Sequence, residues 1–501
     1  MNFFKRKSAP EPVKMKKFPG FNSRRKLIVE AKMKEYEKQL NKRSLGLTSG
    51  DRLEDSADAA VTLLGSFNNA LKGSAQRLFN QGRGLAINTS LGSRYVQYMA
   101  DNVVGTGLDP KPMVQGADGK LDDRMNDEIE KAFWNWAQSQ RRFSRNGRFN
   151  FRELLAMAEK ERIQGGECFI VMDDSADDLK YTLLSAEMVD WTYSQRVDDE
   201  VVIYQGIEYD EDTLMPRAYW FRKRDLLTQT FTGKHYRVPA EKVMHYYIPA
   251  TADALRGVTD FLPVIKDIAH RDAFREAVII QKRIASSSMG FIESSKDSAD
   301  NFDIDEEEGY YQRETITDFA PGSIQELAPG QTIKQLSSSQ SGDDFKSFDE
   351  SMLTAISMGL GVFKQGLTGD TASINYSSAR FGDLSQRTRF KSIQDRLIDL
   401  VVKPIVEAFL KHAVMHSSIN LRMAKVNEVM DNTVIIRPKY QSVDPQKDIN
   451  TEIAMISNGL KSRSASILER GDDPEKVFSE IEAEKTTINK VVPAEDNPAN
   501  S

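Results

Sequence analysis

Residues 262–287 carry one long amphipathic pattern. Ile265, Ile268, Phe274, Val278, Ile279 and Ile284 keep near-helical spacing, interleaved with Lys266, Asp267, Arg271, Asp272, Arg275, Lys282 and Arg283. Apolar residues three and four apart fall on one helix face, so this spacing predicts a single long helix. The pattern breaks at Ser286-Ser-Ser288. Residues 289–340 then read as short strands with acidic and Gly/Pro-rich connections, including Asp303–Glu308 and Pro329-Gly330. A second helical stretch runs from Phe345 to Leu360, followed by a loop of Gly, Thr, Ser and Asn. A third runs from Ala379 to about Met415, with Phe390, Ile393, Leu397, Leu400, Val401, Ile405 and Phe409 on one face. Pro404 is expected to kink it, because proline cannot donate the helical hydrogen bond.

Mixed elements flank this region, and the expected class is α+β. Helical spacing dominates from Ala57 to Val104 and again over Asp122–Gln140, where Met125, Ile129, Phe133 and Trp136 recur four, four and three apart. A helix over Phe151–Gln164 should stop at Gly165-Gly166, a natural C-cap pair. Strands are expected at Cys168–Met172, Tyr181–Leu184, Val201–Tyr209 and Ala218–Arg222, the last entered by the turn Asp210–Pro216. Beyond Arg437 a turn with Pro438 and Pro445 precedes two short helices, Asp448–Asn458 and Ala465–Arg470, and the chain is expected to end disordered.

A length of 501 residues implies on the order of two to four folded units. Hydrophobic residues at 40%, charged residues at 28% and a mean hydropathy of −0.50 argue against a membrane protein or a mainly disordered one. No run approaches the roughly 18 apolar residues that cross a bilayer, and no signal peptide is visible. Residues 1–46 hold 14 Lys/Arg against 4 Glu, a net +10, so the remainder carries −16 of the total −6. A basic arm, with partial helical spacing over Arg25–Asn41, therefore precedes a polar linker at Ser44–Asp55 and an acidic body. The strongly basic fold of a DNA-gripping domain is missing. The one cysteine, Cys168, excludes an internal disulfide and any site needing two thiolates, and its setting in Glu-Cys-Phe-Ile-Val-Met reads as a buried strand.

Catalytic motifs are mostly negative. Gly361-Val-Phe-Lys-Gln-Gly366-Leu-Thr368 has the gap of a P-loop, but Leu367 stands where the phosphate-binding lysine is needed. Gly105-Thr-Gly107 runs into Leu-Asp-Pro instead of a dinucleotide-binding helix. His412 and His416 share a helix face, yet no general-base Glu follows His412 and no further ligands are evident, so packing is the expected role. There is no Gly-x-Ser-x-Gly elbow. Trp134 and Trp136 read as core, and Phe363 and Tyr376 flank a polar loop. No catalytic residue, metal or cofactor is expected.

Several segments in order resemble the portal proteins of tailed bacteriophages, specifically the lambda-like family. They begin with Asn102-Val-Val-Gly-Thr-Gly-Leu108-Asp-Pro110, Trp134-Asn-Trp136, Phe151-Arg-Glu-Leu-Leu155 and Gly166-Glu-Cys-Phe-Ile-Val171. Gly206-Ile-Glu-Tyr-Asp210, Val238-Pro-Ala-Glu-Lys-Val-Met-His245 and Arg256-Gly-Val258 come next. The most specific block is Leu327-Ala-Pro-Gly330, Phe345-Lys-Ser-Phe348, Ile356-Ser-Met-Gly-Leu-Gly361, Leu367-Thr-Gly-Asp370 and Asn375-Tyr-Ser-Ser-Ala-Arg380. Val443-Asp-Pro445, Asn458-Gly-Leu460 and Gly471-Asp-Asp-Pro-Glu475 close the pattern. Tyr440 stands near a place where many relatives carry Trp, and the basic arm has no counterpart in the pattern.

The resemblance implies a portal fold, with these segments expected. A basic arm occupies 1–46, an α/β wing 47–261, stem helix 1 residues 262–288, a small α/β clip 289–340 and stem helix 2 residues 341–360. A tunnel loop at 361–378 and a kinked long helix returning to the wing at 379–437 lead to a helical crown at 438–490 and a disordered tail at 491–501. It implies a non-enzymatic homo-oligomeric ring, a dodecamer, at one capsid vertex of the virion, assembled in the host cytoplasm. Double-stranded DNA would be packaged and ejected through it. Terminase, head–tail adaptor and major capsid protein would be its partners, with no membrane involved.

A 26-residue helix is about 39 Å long, and twelve helices ~10 Å wide side by side have a circumference near ~120 Å. The hole left is roughly 28 Å, wide enough for a duplex roughly 20 Å across. Each axis-facing side chain becomes a ring of twelve. A strongly basic lining would hold DNA through counterion release, whereas an acidic one with few basic rings lets it slide. Lys364, Asn375, Tyr376 and Arg380 are the candidate channel residues, although Arg380 could instead pair with Asp383 or with a neighbouring subunit. The alternatives are a packaging-motor enzyme, and a connector, adaptor or capsid-vertex protein without a DNA channel.

Overall fold

The computed structural model describes residues 66–116, 121–175, 178–286, 290–294, 331–335, 342–370, 376–439, 445–470, 472 and 474–491. The basic arm, the linker, most of residues 289–340, Asn375 and residues 492–501 lie outside the described residues. The chain divides into two units, Met1–Ser74 and Ala75–Ser501. Of the first, only residues 66–74 are described, in the opening turns of α1 (Phe67–Asn88).

The second unit continues with α2 (Ser90–Val103), β1 (Asp109–Pro112), α3 (Asp123–Ala137), the short α4 (Gln140–Phe143) and α5 (Phe151–Gly165). Asn150 and Glu153 form a reciprocal capping box at the start of α5. This satisfies two backbone donors that a helix start otherwise leaves free. Gly166 ends the helix at φ +92, and a Cβ there would lie 2.5 Å from the Val258 backbone. Only glycine fits both the left-handed turn and that approach.

The strands that follow are β2 (Glu167–Ser175), β3 (Asp178–Ser185), β4 (Gln195–Arg196), β5 (Val201–Tyr204), β6 (Ile207–Asp210), β7 (Pro216–Arg224), β8 (Phe231–Pro239) and β9 (Val243–Tyr247). They make two antiparallel sheets, β3-β2-β9 and β4-β5-β6-β7-β8. The inner face of each is apolar. Phe169 and Val243 of the small sheet cluster with Ile207, Tyr209, Tyr219 and Phe221 of the large one. The expected single strand Val201–Tyr209 is two strands. Gln205 and Gly206 both take positive φ, 51° and 78°, and turn the chain in two residues. Such a turn matches the twist of a hairpin, but it is usually announced by Asn-Gly or Asp-Gly, which is absent here.

A second core is aromatic. Phe133 packs on Trp134, Trp136, Phe151 and Phe409, and Trp136 reaches Phe143 and Tyr181. Trp134 and Trp136 thus serve packing, as the spacing predicts. Cys168 is fully buried, and burial pushes its thiol pKa well up, so it is unreactive.

After the second sheet come α6 (Ile265–Ser286), β10 (Gly290–Ser294), β11 (Gln331–Gln335) and α7 (Gly342–Leu360). The strands β10 and β11 pair antiparallel, from Gly290↔Gln335 to Ser294↔Gln331. Then follow the five-residue α8 (Lys364–Thr368), α9 (Tyr376–Leu397), α10 (Lys403–Met415), α11 (Val426–Asp431) and β12 (Thr433–Ile436). Strand β12 pairs with β1. The last helices are α12 (Pro445–Ser457), α13 (Arg463–Glu469) and α14 (Pro474–Val491). The expected long helix is helical throughout Tyr376–Met415, and one π turn, Ile398–Val402, joins α9 to α10. The disturbance expected at Pro404 is this π turn, which directly precedes the proline and shifts the hydrogen-bond register where its missing N–H would otherwise leave a gap. No helix among the described residues is long and apolar enough to cross a membrane.

Candidate functional site

Helices α6 and α7 run antiparallel. Val264, just before α6, touches Gly359 near the end of α7, while Phe274 stacks on Phe345 near its start. Between these contacts Arg271 grips Asp349 bidentately at 2.8 and 3.0 Å. A Cβ on Gly359 would come within 2.3 Å of the Val264 side chain, so the backbones close up at this end. Among the described side chains of α6 only Ile265, Ile268 and Arg271 are buried, with Phe274, Val278 and Gln281 partly covered on the same stripe and Lys266 and Asp267 partly covered beside its start. The remaining described positions are open, including Ile279 at 50% and Ile280 at 47%. On α7, Met358 is also exposed.

The end of α7 is held by a chain of buried polar groups. From α9, Arg389 donates to the carbonyl oxygens of Leu360 and Gly361, and Tyr95 Oη, 3.1 Å from Asp260 and 3.4 Å from Leu360 O, shares its one proton with these two acceptors, chiefly Asp260. Asp260 accepts from Arg162 at 2.7 and 2.9 Å, and Arg162 also holds Glu159 at 2.8 and 2.9 Å. Tyr246 Oη completes the set with a 2.7 Å bond to Glu159. Burial, then the charge of Asp260, pushes the Tyr95 hydroxyl pKa far up, so it remains a donor.

Residues 361–370 follow directly. Phe363 N donates to Gln386 Oε1 at 3.2 Å, Tyr98 Oη donates to the same oxygen at 2.9 Å, and the Phe363 ring lies against Gly382. The segment resembling a P-loop is thus a turn and the short helix α8, with Leu367 buried. Lys364 stands half-buried at the start of α8. Tyr376 and Arg380 lie in the first turns of α9, their side chains outside the described residues, as is Asn375 altogether. The expected partner of Arg380, Asp383, pairs with Arg387 at 2.6 Å. Of the four candidate channel residues, only the Lys364 side chain can therefore be placed. His412 and His416 stack with ring centroids 4.2 Å apart, and no group of three or more His, Cys, Asp or Glu among the described residues could hold a metal.

A second buried charge cluster was not readable from sequence, because its members are far apart in the chain. Arg256 and Glu167, both fully buried, meet through Nε at 2.7 Å. Arg256 also donates to Gln205 O at 2.6 Å and Ala186 O at 3.2 Å, while Glu167 takes Gly257 N at 3.1 Å and lies 2.8 Å from His245 Nε2. Burial alone would raise the Glu167 pKa, but the Arg256 charge and the His245 hydrogen bond outweigh it and hold it down at about 2. Its ordinary value is 4.5, so the ionised form is favoured by folding by about 3 kcal/mol. That stability is present above pH 4.5 and is lost as pH falls toward 2. Burial lowers the pKa of His245 below its ordinary 6.5, so its contribution too is lost on acidification, starting below pH 6.5. Thermal melts from pH 7 to 3 should show a steep acid decline. Glu167→Gln should flatten it below pH 4.5, and an unchanged slope would show that this carboxylate is not among the groups responsible.

The described residues form a mixed α+β fold, and comparison with known families places the chain among the structural proteins of phage particles. Residues 55–394 match the family model described as phage portal protein, lambda family, and the chain belongs to that family. It is accordingly a non-enzymatic component of the virion. The "Probable portal protein" of Halomonas phage phiHAP-1 is 22% identical over 413 residues, spanning 81% of this chain and 79% of that protein. "Portal protein B" of Escherichia phage lambda is 20% identical over 259 residues, 47% of this chain and 49% of that one. Among solved structures, a chain in the neck of a native GTA particle computed with C12 symmetry is 14% identical with a TM-score of 0.41, covering 80% of this chain and 94% of that chain.

Proposed function

We propose that copies of this chain close into a ring of twelve at one capsid vertex and that α6 and α7 line its bore. Double-stranded DNA enters and leaves through this passage. The observation that carries the reading is the bareness of α6, which packs on one narrow stripe and leaves Ala269, Ala273, Ala277, Ile279 and Ile280 exposed. A helix of 22 residues with so little of its surface covered needs a neighbour. The clip, residues 289–340, docks terminase, and head–tail adaptors bind the ring later, with the wing at 47–261 and the crown at 438–490 surrounding the stem. Lys364, Asn375 and Tyr376 in the tunnel loop, and Arg380 just after it, face the duplex. The acidic body supplies few cationic rings, so DNA slides instead of being held.

Negative-stain class averages of the purified protein test this. The expected result is a ring with a central hole wide enough for duplex DNA. A protein that stays monomeric at high concentration, or that forms rings closed at the centre, would overturn it.

A further inference from the structure

Away from the helix pair, the segment from α4 into the first turn of α5 holds five arginines, Arg141, Arg142, Arg145, Arg148 and Arg152, all exposed. Glu153 is the one carboxylate among residues 139–153, and it is engaged in the capping box of α5. The turn is built to present them. Phe143 and Phe151 are fully buried and pack on each other with centroids 5.9 Å apart, pinning both ends. Arg145 N donates to Tyr181 O at 3.0 Å, Gln140 Nε2 to Glu153 Oε2 at 2.8 Å, and Asn146 Oδ1 receives Ser144 Oγ and Arg148 N. The chain folds back enough that a Cβ on Gly147 would lie 4.0 Å from Arg141 Cγ.

Two of the five are partly neutralised, Arg145 by Asp173 at 3.2 Å and Arg152 by Asp109 at 3.0 Å. Arg142 donates only to a carbonyl, Asn135 O. Arg141 and Arg148 carry no ion pair among the described residues. A rigid frame therefore holds three guanidinium groups without a carboxylate on a body whose sequence outside the basic arm is acidic.

We propose that this arginine turn binds the phosphate backbone of duplex DNA from outside any bore, without reading its sequence. The guanidinium fork matches phosphate oxygens bidentately. A duplex presents one charge per about 1.7 Å of axis, denser and more regular than an acidic protein face, which suits a small cationic island. This contact is separate from the proposed channel and does not need a ring.

Binding of the full-length protein to a covalently closed circular duplex tests it, since a closed circle cannot thread a bore. The triple variant Arg141→Gln, Arg142→Gln, Arg148→Gln should bind at least about tenfold more weakly at low salt, with the slope of log K against log salt reduced by about 2–3. The matching Arg→Lys triple variant should keep that slope. A further variant, Lys5→Gln, Arg6→Gln, Lys7→Gln, measures the share due to the basic arm. Unchanged affinity and slope in the Arg→Gln variant would overturn the proposal. So would equal loss in the Arg→Lys variant, or tighter binding of polyglutamate than of DNA at the same turn. Ring formation, read separately by microscopy, can fail without affecting this outcome.

Discussion

Arg256→Met destabilises the folded chain by about 3–5 kcal/mol, measured by denaturant unfolding or by loss of soluble protein on expression. The methionine fills similar volume, so packing is not the cause. The variant leaves the Glu167 carboxylate fully buried beside only His245 and one backbone donor, and it takes the guanidinium away from the Gln205 carbonyl. An unpaired buried charge is among the most costly defects a core can have. The double variant Arg256→Met, Glu167→Gln should recover a substantial part of the loss, because removing both charges costs less than stranding one. If the single variant melts like the parent, the pair does not organise the interface between β2, β9 and the segment entering α6.

Ile279→Glu combined with Ile280→Glu abolishes ring assembly while leaving the subunit folded. Both side chains are about half exposed in the subunit, so their replacement costs the fold little. About half of each side chain is already covered, so burying the rest in a contact between copies contributes about 0.75–1.5 kcal/mol each, and the pair weakens each contact by at least on the order of tenfold. Light scattering should report monomers, and far-ultraviolet circular dichroism should match the parent. Rings that persist in this variant would place the subunit contact elsewhere than along α6.

What the residues disclose before folding depends on the range over which each signal acts. The helix α6, the C-cap at Gly166, the packing of Trp136 and the burial of Cys168 are local patterns that the structure reproduces, although Ile279, placed on the apolar stripe by spacing, stands half exposed. The turn at Gln205-Gly206 is also local but uses residues that rarely signal a hairpin. Pro404 announces a disturbance, yet not that a π turn would take it up. The buried charges could not be read at all. Glu167 and Arg256 look like any carboxylate and any guanidinium in an abundantly charged chain until 89 residues of separation are closed. The arginine turn escaped for the opposite reason. Its charges are adjacent in sequence, but whether they were solvated singly or framed together depended on Phe143 and Phe151 being anchors. The channel role of Lys364, Asn375, Tyr376 and Arg380 rests on the resemblance alone.

The grip of Arg389 and Tyr95 on the last carbonyls of α7 has a mechanical consequence. A rod clamped at one end cannot ravel there, so a load applied along it passes into the mounting. Here the mounting is Arg162, Glu159 and Asp260, three charges interlocked in the interior. The end of α7 at Leu360 is thereby moored to the buried charges around α5 and not left to fray.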